Sequence, residues 1–75
     1  MAANFKSRSD RVAHRGKFLA LHFEKKMNYA QIAEAEGIGK IRVGQLVREG
    51  KRFLEQGQLE IRGGKICMPN GKEVL

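Results

Sequence analysis

The chain has no tryptophan, one cysteine, one proline and one tyrosine among its 75 residues, and it is short of acidic side chains. Cys67 has no second cysteine to join, so an intrachain disulfide is excluded and a reduced cytoplasmic setting fits. No apolar run approaches the roughly 20 residues that span a bilayer. The opening MAANFKSRSDR also lacks the apolar stretch of a secretory signal, so a cytoplasmic protein with no membrane partner is expected.

A chain this short builds a small core and leaves little room for an enclosed catalytic pocket. Enzyme and metal readings fail at named residues. Gly37, Gly39 and Lys40 lack the spacing of a phosphate loop, and Glu34 and Glu36, two apart on a helix, face different ways. His14 and His22 stand eight apart, about 12 Å along a helix axis, and Cys67 adds no spaced third ligand. The expectation is no catalysis, no cofactor and no metal.

Positive charge is what the chain has in excess. Fifteen Lys and Arg face eight Asp and Glu, for a formal charge of +7. Seven of the basic residues and only two of the acidic ones lie in residues 1 to 26. Such a balance attracts polyanions and speeds encounters with them, which makes nucleic acid the leading partner class. Residues 1 to 8 read as a basic arm, and residues 9 to 75 as one domain.

Apolar spacing divides that domain. Val12, Gly16, Leu19, Phe23 and Met27 recur at intervals of three and four, which predicts a first helix from Ser9 or Asp10 to about Lys26, with Ser9 as its N-cap. Arg8, Arg11, Arg15, Lys25 and Lys26 avoid that stripe and are expected in solvent. Asn28 with Gln31 forms a variant capping box, Met27 and Ile32 stand as a hydrophobic staple, and Gly37 ends a short second helix. A third helix starts at about Lys40 and keeps Val43, Leu46, Val47, Gly50, Phe53 and Leu54 on one face until Gly57 stops it. In residues 58 to 75 the period changes to two. Gly63-Gly64 joins two strands that pair Ile61 with Ile66 and Leu59 with Met68, and Asn70-Gly71 offers a turn into a third edge strand.

The second and third helices meet the requirements of a helix-turn-helix: a small residue at Ala33, a turn glycine at Gly37, and Val43 and Leu46 facing back. Glu36 is discordant, because an apolar residue commonly precedes the turn glycine. On the outer face Lys40, Ile41, Arg42, Gly44, Gln45 and Arg48 have groove-reading chemistry: Gln suits adenine, Arg suits guanine, and Ile can pack on a thymine methyl. Gly44 either lets DNA approach the backbone or admits a neighbouring helix. Lys40 and Arg42 occupy a helix start that disfavours cations unless an anion docks there. Lys6, Arg8, Arg11, Arg15 and Tyr29 are candidates for phosphate contacts.

Residues 17 to 54 resemble the fourth conserved region of bacterial sigma factors, through Asn28, Tyr29, Ile32, Ala33, Glu34, Gly37, Ile38, Val43, Gln45 and Leu46. The resemblance implies a helix-turn-helix whose basic helix, with Lys40, Arg42, Gln45 and Arg48, enters the major groove of duplex DNA. With a hairpin after it and no second sigma region, the chain is expected to be a stand-alone small regulator of the phage or mobile-element kind. The expected fold is mainly α, three helices with a C-terminal β-hairpin that acts as a wing or a dimerisation strand. One recognition helix reads few base pairs, so a homodimer or a partner protein is expected to complete specificity.

Two other readings compete. GIGKIRVGQLVREG followed by GQLEIRGGKI is similar to the alpha-L type of RNA-binding domain, with residues 51 to 56 as an insertion. A phage-type factor that binds host RNA polymerase as a sigma-domain mimic would expose apolar residues, for which Phe5, Phe18 and Leu21 are candidates.

Overall fold

The computed structural model describes residues 8–75, and the candidate contacts Lys6 and Phe5 lie outside them. Three helices, α1 (Arg8–Phe23), α2 (Tyr29–Glu36) and α3 (Lys40–Glu55), precede a hairpin of β1 (Glu60–Arg62) and β2 (Lys65–Cys67). The chain is therefore mainly helical with a two-stranded antiparallel hairpin at its C-terminal end.

The first helix begins earlier and ends earlier than its spacing predicts. Ser9 lies inside its first turn and is not its cap, and Arg8, assigned to the arm, is helical. At the other end Lys26 adopts a left-handed φ of 55°, which turns the chain back. Met27 N–H then donates to the Leu21 carbonyl (3.2 Å), and His22 Nδ1–H donates to the Met27 carbonyl (2.8 Å). Phe23, the last residue of α1, is 46% exposed and lies outside the core. Met27 still packs against the core from the loop.

The second helix forms as its ends dictate. Asn28 Oδ1 accepts from Gln31 N–H (2.8 Å) while Gln31 Oε1 accepts from Asn28 N–H (2.9 Å), satisfying two end donors at once. Gly37 closes the helix at φ 69°, a left-handed conformation that a side chain would resist, and donates to the Ala33 carbonyl. Three residues later α3 begins.

Val12, Phe18, Leu19 and Ala20 of α1, Ile32 of α2, and Val43, Leu46 and Val47 of α3 form the core, with Leu59 and Ile66 added by the hairpin segment. Phe18 is only 3% exposed, so it is a core residue and not a docking side chain; Leu21 is half-buried against the same core. At α1 a Cβ on Gly16 would stand 3.0 Å from Leu59 Cδ2 and 3.1 Å from Val74 Cγ1, so the absence of a side chain lets the hairpin segment and the C-terminal end settle on the helix.

Ile61 pairs with Ile66 across a Gly63-Gly64 turn in which both glycines have positive φ (57° and 78°), the conformation a two-residue hairpin loop demands. Ile66 is buried, but Ile61 is 48% exposed, because the helices cover β2 and leave the β1 side open. The ladder ends at Glu60 and Cys67, one step short of the expected Leu59–Met68 pair, although both of those side chains pack on the core. Asn70-Gly71 does turn the chain, with Met68 N–H donating to the Lys72 carbonyl (2.8 Å). The third strand itself is reduced to one bridge, Cys67 with Glu73.

Candidate nucleic-acid interface

The core residues Val43, Leu46 and Val47 fix the rotation of α3, and that rotation leaves Lys40, Ile41, Arg42, Gln45 and Arg48 in solvent. Ile41 is 81% exposed, the most exposed large apolar side chain among the described residues. Arg42 Nη1 donates to Gln45 Oε1 (3.3 Å), so the two polar groups lie side by side. Between Lys40 and Arg48 the helix has no acidic residue, and the next one, Glu49, turns to α1.

Gly44 departs from the expected open contact. It is buried, and a Cβ there would stand 3.4 Å from the ring of Tyr29, which covers it from α2. The glycine admits a neighbouring side chain and does not bare the backbone to a partner. Tyr29 itself remains half-exposed, with its ring tilted against His22 at a centroid distance of 5.1 Å. A shallow cleft of about 480 Å³ runs over this point, lined by His22, Asn28, Tyr29, Ala30 and Lys40. The start of α3 opens towards solvent, and its N-cap, Gly39, offers no side-chain acceptor to the first-turn N–H groups.

The candidate phosphate contacts of α1 divide. Arg15 is buried, 6% exposed, and its Nε stands 3.5 Å from Glu49 Oε2 of α3; it is a structural ion pair and not a solvent contact. A buried guanidinium is stable only beside such a counter-charge. Arg11 approaches the same carboxylate at 3.4 Å but stays exposed, and Arg8 Nε donates to Gln58 Oε1 (3.1 Å). Together with Arg52, Arg8 and Arg11 line a cleft of about 290 Å³ whose single acid is Glu49.

Two positions acquire partners that spacing did not reveal. Glu36, discordant with the motif, accepts from Lys17 Nζ at 2.8 Å and so ties the α2–α3 turn to α1. His14 receives a hydrogen bond from Arg15 Nη1 (3.1 Å); a guanidinium only donates, so Nδ1 carries no proton. Its ring stands 5.2 Å from that of Phe18. Burial, then the charges of Arg15, Lys17 and Arg42, lower the His14 pKa from its ordinary 6.5 against the opposing pull of Glu36. Arg42 therefore lies within electrostatic reach of α1, and the exposed face of α3 has a neutral imidazole at its side.

Among the described residues no cluster of His, Cys, Asp and Glu could hold a metal ion, and no helix is long and apolar enough to cross a membrane. Compared with known proteins, the chain matches no family model, no curated protein and no solved structure.

Proposed function

We propose that the chain is a helix-turn-helix protein that reads duplex DNA, with α3 in the major groove and Lys40, Ile41, Arg42, Gln45 and Arg48 as the reading face. One observation carries this reading: a large apolar side chain, Ile41, stands 81% exposed within a face that is otherwise cationic and amide and holds no carboxylate. An isolated surface helix has no use for that combination, whereas a groove offers thymine methyls to the isoleucine and base edges to Gln45 and Arg48. Lys40 and Tyr29, at the cleft beside the start of α3, would meet phosphates, as would Arg8 and Arg11. The resemblance to the fourth sigma region points the same way.

The path of α3 also bears on the competing RNA reading. Residues 51 to 55 continue α3 without a break, so the segment treated as an insertion in an alpha-L type domain is ordinary helix. For the polymerase-mimic reading, Phe18 is withdrawn into the core. The test is competition: a labelled duplex held by the protein at moderate salt is challenged with unlabelled duplex and with structured RNA. Displacement by duplex at lower concentration supports the proposal, and preferential displacement by RNA refutes it. A dimer on each site is part of the proposal, and sedimentation of the protein with operator-length duplex would reject that part by showing one chain per site.

A further inference from the structure

The end of α1 and the tip of the hairpin enclose a second cationic site away from the reading face. A cleft of about 540 Å³ is lined by Phe23, Glu24, Lys25 and Lys26 on one side and by Gly63, Gly64 and Lys65 on the other. Residues distant in sequence thus place three ammonium groups around one concavity. Glu24 lines the same cleft and its Oε2 accepts from the Ile66 N–H (2.7 Å), pinning the hairpin to α1, so the cleft sets three cations against one carboxylate. Lys65 has a loose partner in Glu73 (3.4 Å), with both side chains about half exposed. Lys25 and Lys26 make no ion pair among the described residues.

Two backbone features shape the cleft. Lys26 holds a left-handed φ of 55°, a conformation that disfavours any residue with a side chain. The two glycines of the turn leave the opposite wall without side chains, so a bulky anion can come close to the backbone. Phe23, half-exposed at the mouth, gives an apolar surface on which a sugar can rest.

The site is connected to the reading face through α1. His22 lines the cleft that contains Lys40, the first residue of α3, while its neighbours Phe23, Lys25 and Lys26 line the cleft that contains Lys65. The turn after α1 therefore lies between the start of α3 and the hairpin tip. We infer that Lys25, Lys26 and Lys65 form a second phosphate-binding site, which clamps the sugar-phosphate backbone of the same duplex that α3 reads. This rests on the duplex-reading proposal and adds to it a wing-like role for the hairpin. Contacts of this kind hold the protein in register and carry no sequence information.

The experiment is a salt titration of duplex binding by fluorescence anisotropy, comparing the full chain with the Lys25→Ala/Lys65→Ala double variant and with the Lys25→Gln/Lys65→Gln pair, each checked for helix content by circular dichroism. Each lost phosphate contact reduces the slope of log affinity against log salt by about 0.9, so a drop of roughly 2 is expected. The ratio of affinities for preferred and scrambled duplex should stay unchanged. In the wild-type chain, the amide signals of Gly63 and Gly64 should shift on addition of duplex. An unchanged slope with still glycine amides, in a protein that does bind duplex, overturns the second site alone. Absence of any duplex binding by the wild-type chain overturns it together with the reading of α3.

Discussion

Gly50 of α3 lies so close to α1 that a Cβ added to it would stand 2.8 Å from the carbonyl oxygen of Arg15 and 2.9 Å from Leu19 Cβ. Since the first neighbour is backbone, the helices must part to admit even a methyl group. Gly50→Ala gains the roughly 1 kcal/mol of helix propensity that separates Ala from Gly, but overpacking of a tight contact costs about 1 to 3 kcal/mol. A net loss of up to about 2 kcal/mol is expected in urea unfolding, together with weakening of the Arg15–Glu49 pair. Gly44, six residues earlier in the same helix, predicts the opposite sign. Its added Cβ meets the Tyr29 ring at an ordinary 3.4 Å, so Gly44→Ala should be neutral or stabilising by up to about 1 kcal/mol and should leave duplex affinity intact. If Gly44→Ala abolishes DNA binding in a folded protein, the glycine is a contact after all.

Lys26 offers a test in which stability and binding move apart. Relief of a left-handed lysine by Lys26→Gly should stabilise the domain by about 1 kcal/mol, or roughly 4 to 8 °C in melting temperature. The same change removes a cation from the cleft beside the hairpin tip, so duplex affinity should fall while the protein becomes harder to melt. A variant that melts lower than wild type contradicts the conformational account.

His14 makes stability depend on pH in a definite direction. Its folded pKa is lowered by burial and by Arg15, Lys17 and Arg42, against Glu36, so the folded state binds fewer protons than the unfolded chain. Stability therefore rises with pH through this group. The contribution is complete above the unfolded value of 6.5 and is lost as the pH falls below it towards the lowered folded value. Urea midpoints measured at pH 7.5 and 5.5 should differ more for wild type than for His14→Gln. Equal pH slopes for the two proteins would rule out His14 as the source.

The parts of this fold that could be read from the sequence are those fixed by neighbours along the chain. The Asn28–Gln31 box, the Gly37 cap and the Ile61–Ile66 register each depend on residues within a few positions of one another, and each formed as expected. What escaped depends on distant partners. Arg15 resembles a solvated arginine until Glu49 of another helix neutralises it, and Glu36 resembles a misfit until Lys17 reaches it. The left-handed conformation of Lys26, in the turn after α1, is one that no periodicity announces. Of the candidate site, the exposure of Lys40, Ile41, Arg42, Gln45 and Arg48 on α3 was legible because the opposite face of the helix is apolar. The cover that Tyr29 places over Gly44, and the meeting of Lys25, Lys26 and Lys65, needed the tertiary arrangement.

The central claim, that α3 reads sequence, is tested most directly by selection. A random pool of 20-base-pair duplexes is retained on the purified protein and sequenced, in parallel for wild type, Gln45→Ala and Arg48→Ala. Each bidentate contact is worth about 1 to 3 kcal/mol of discrimination. The account predicts an enriched motif for wild type, with preference relaxed at a different base position in each variant. Retention without enrichment, or an identical motif from all three proteins, would contradict it.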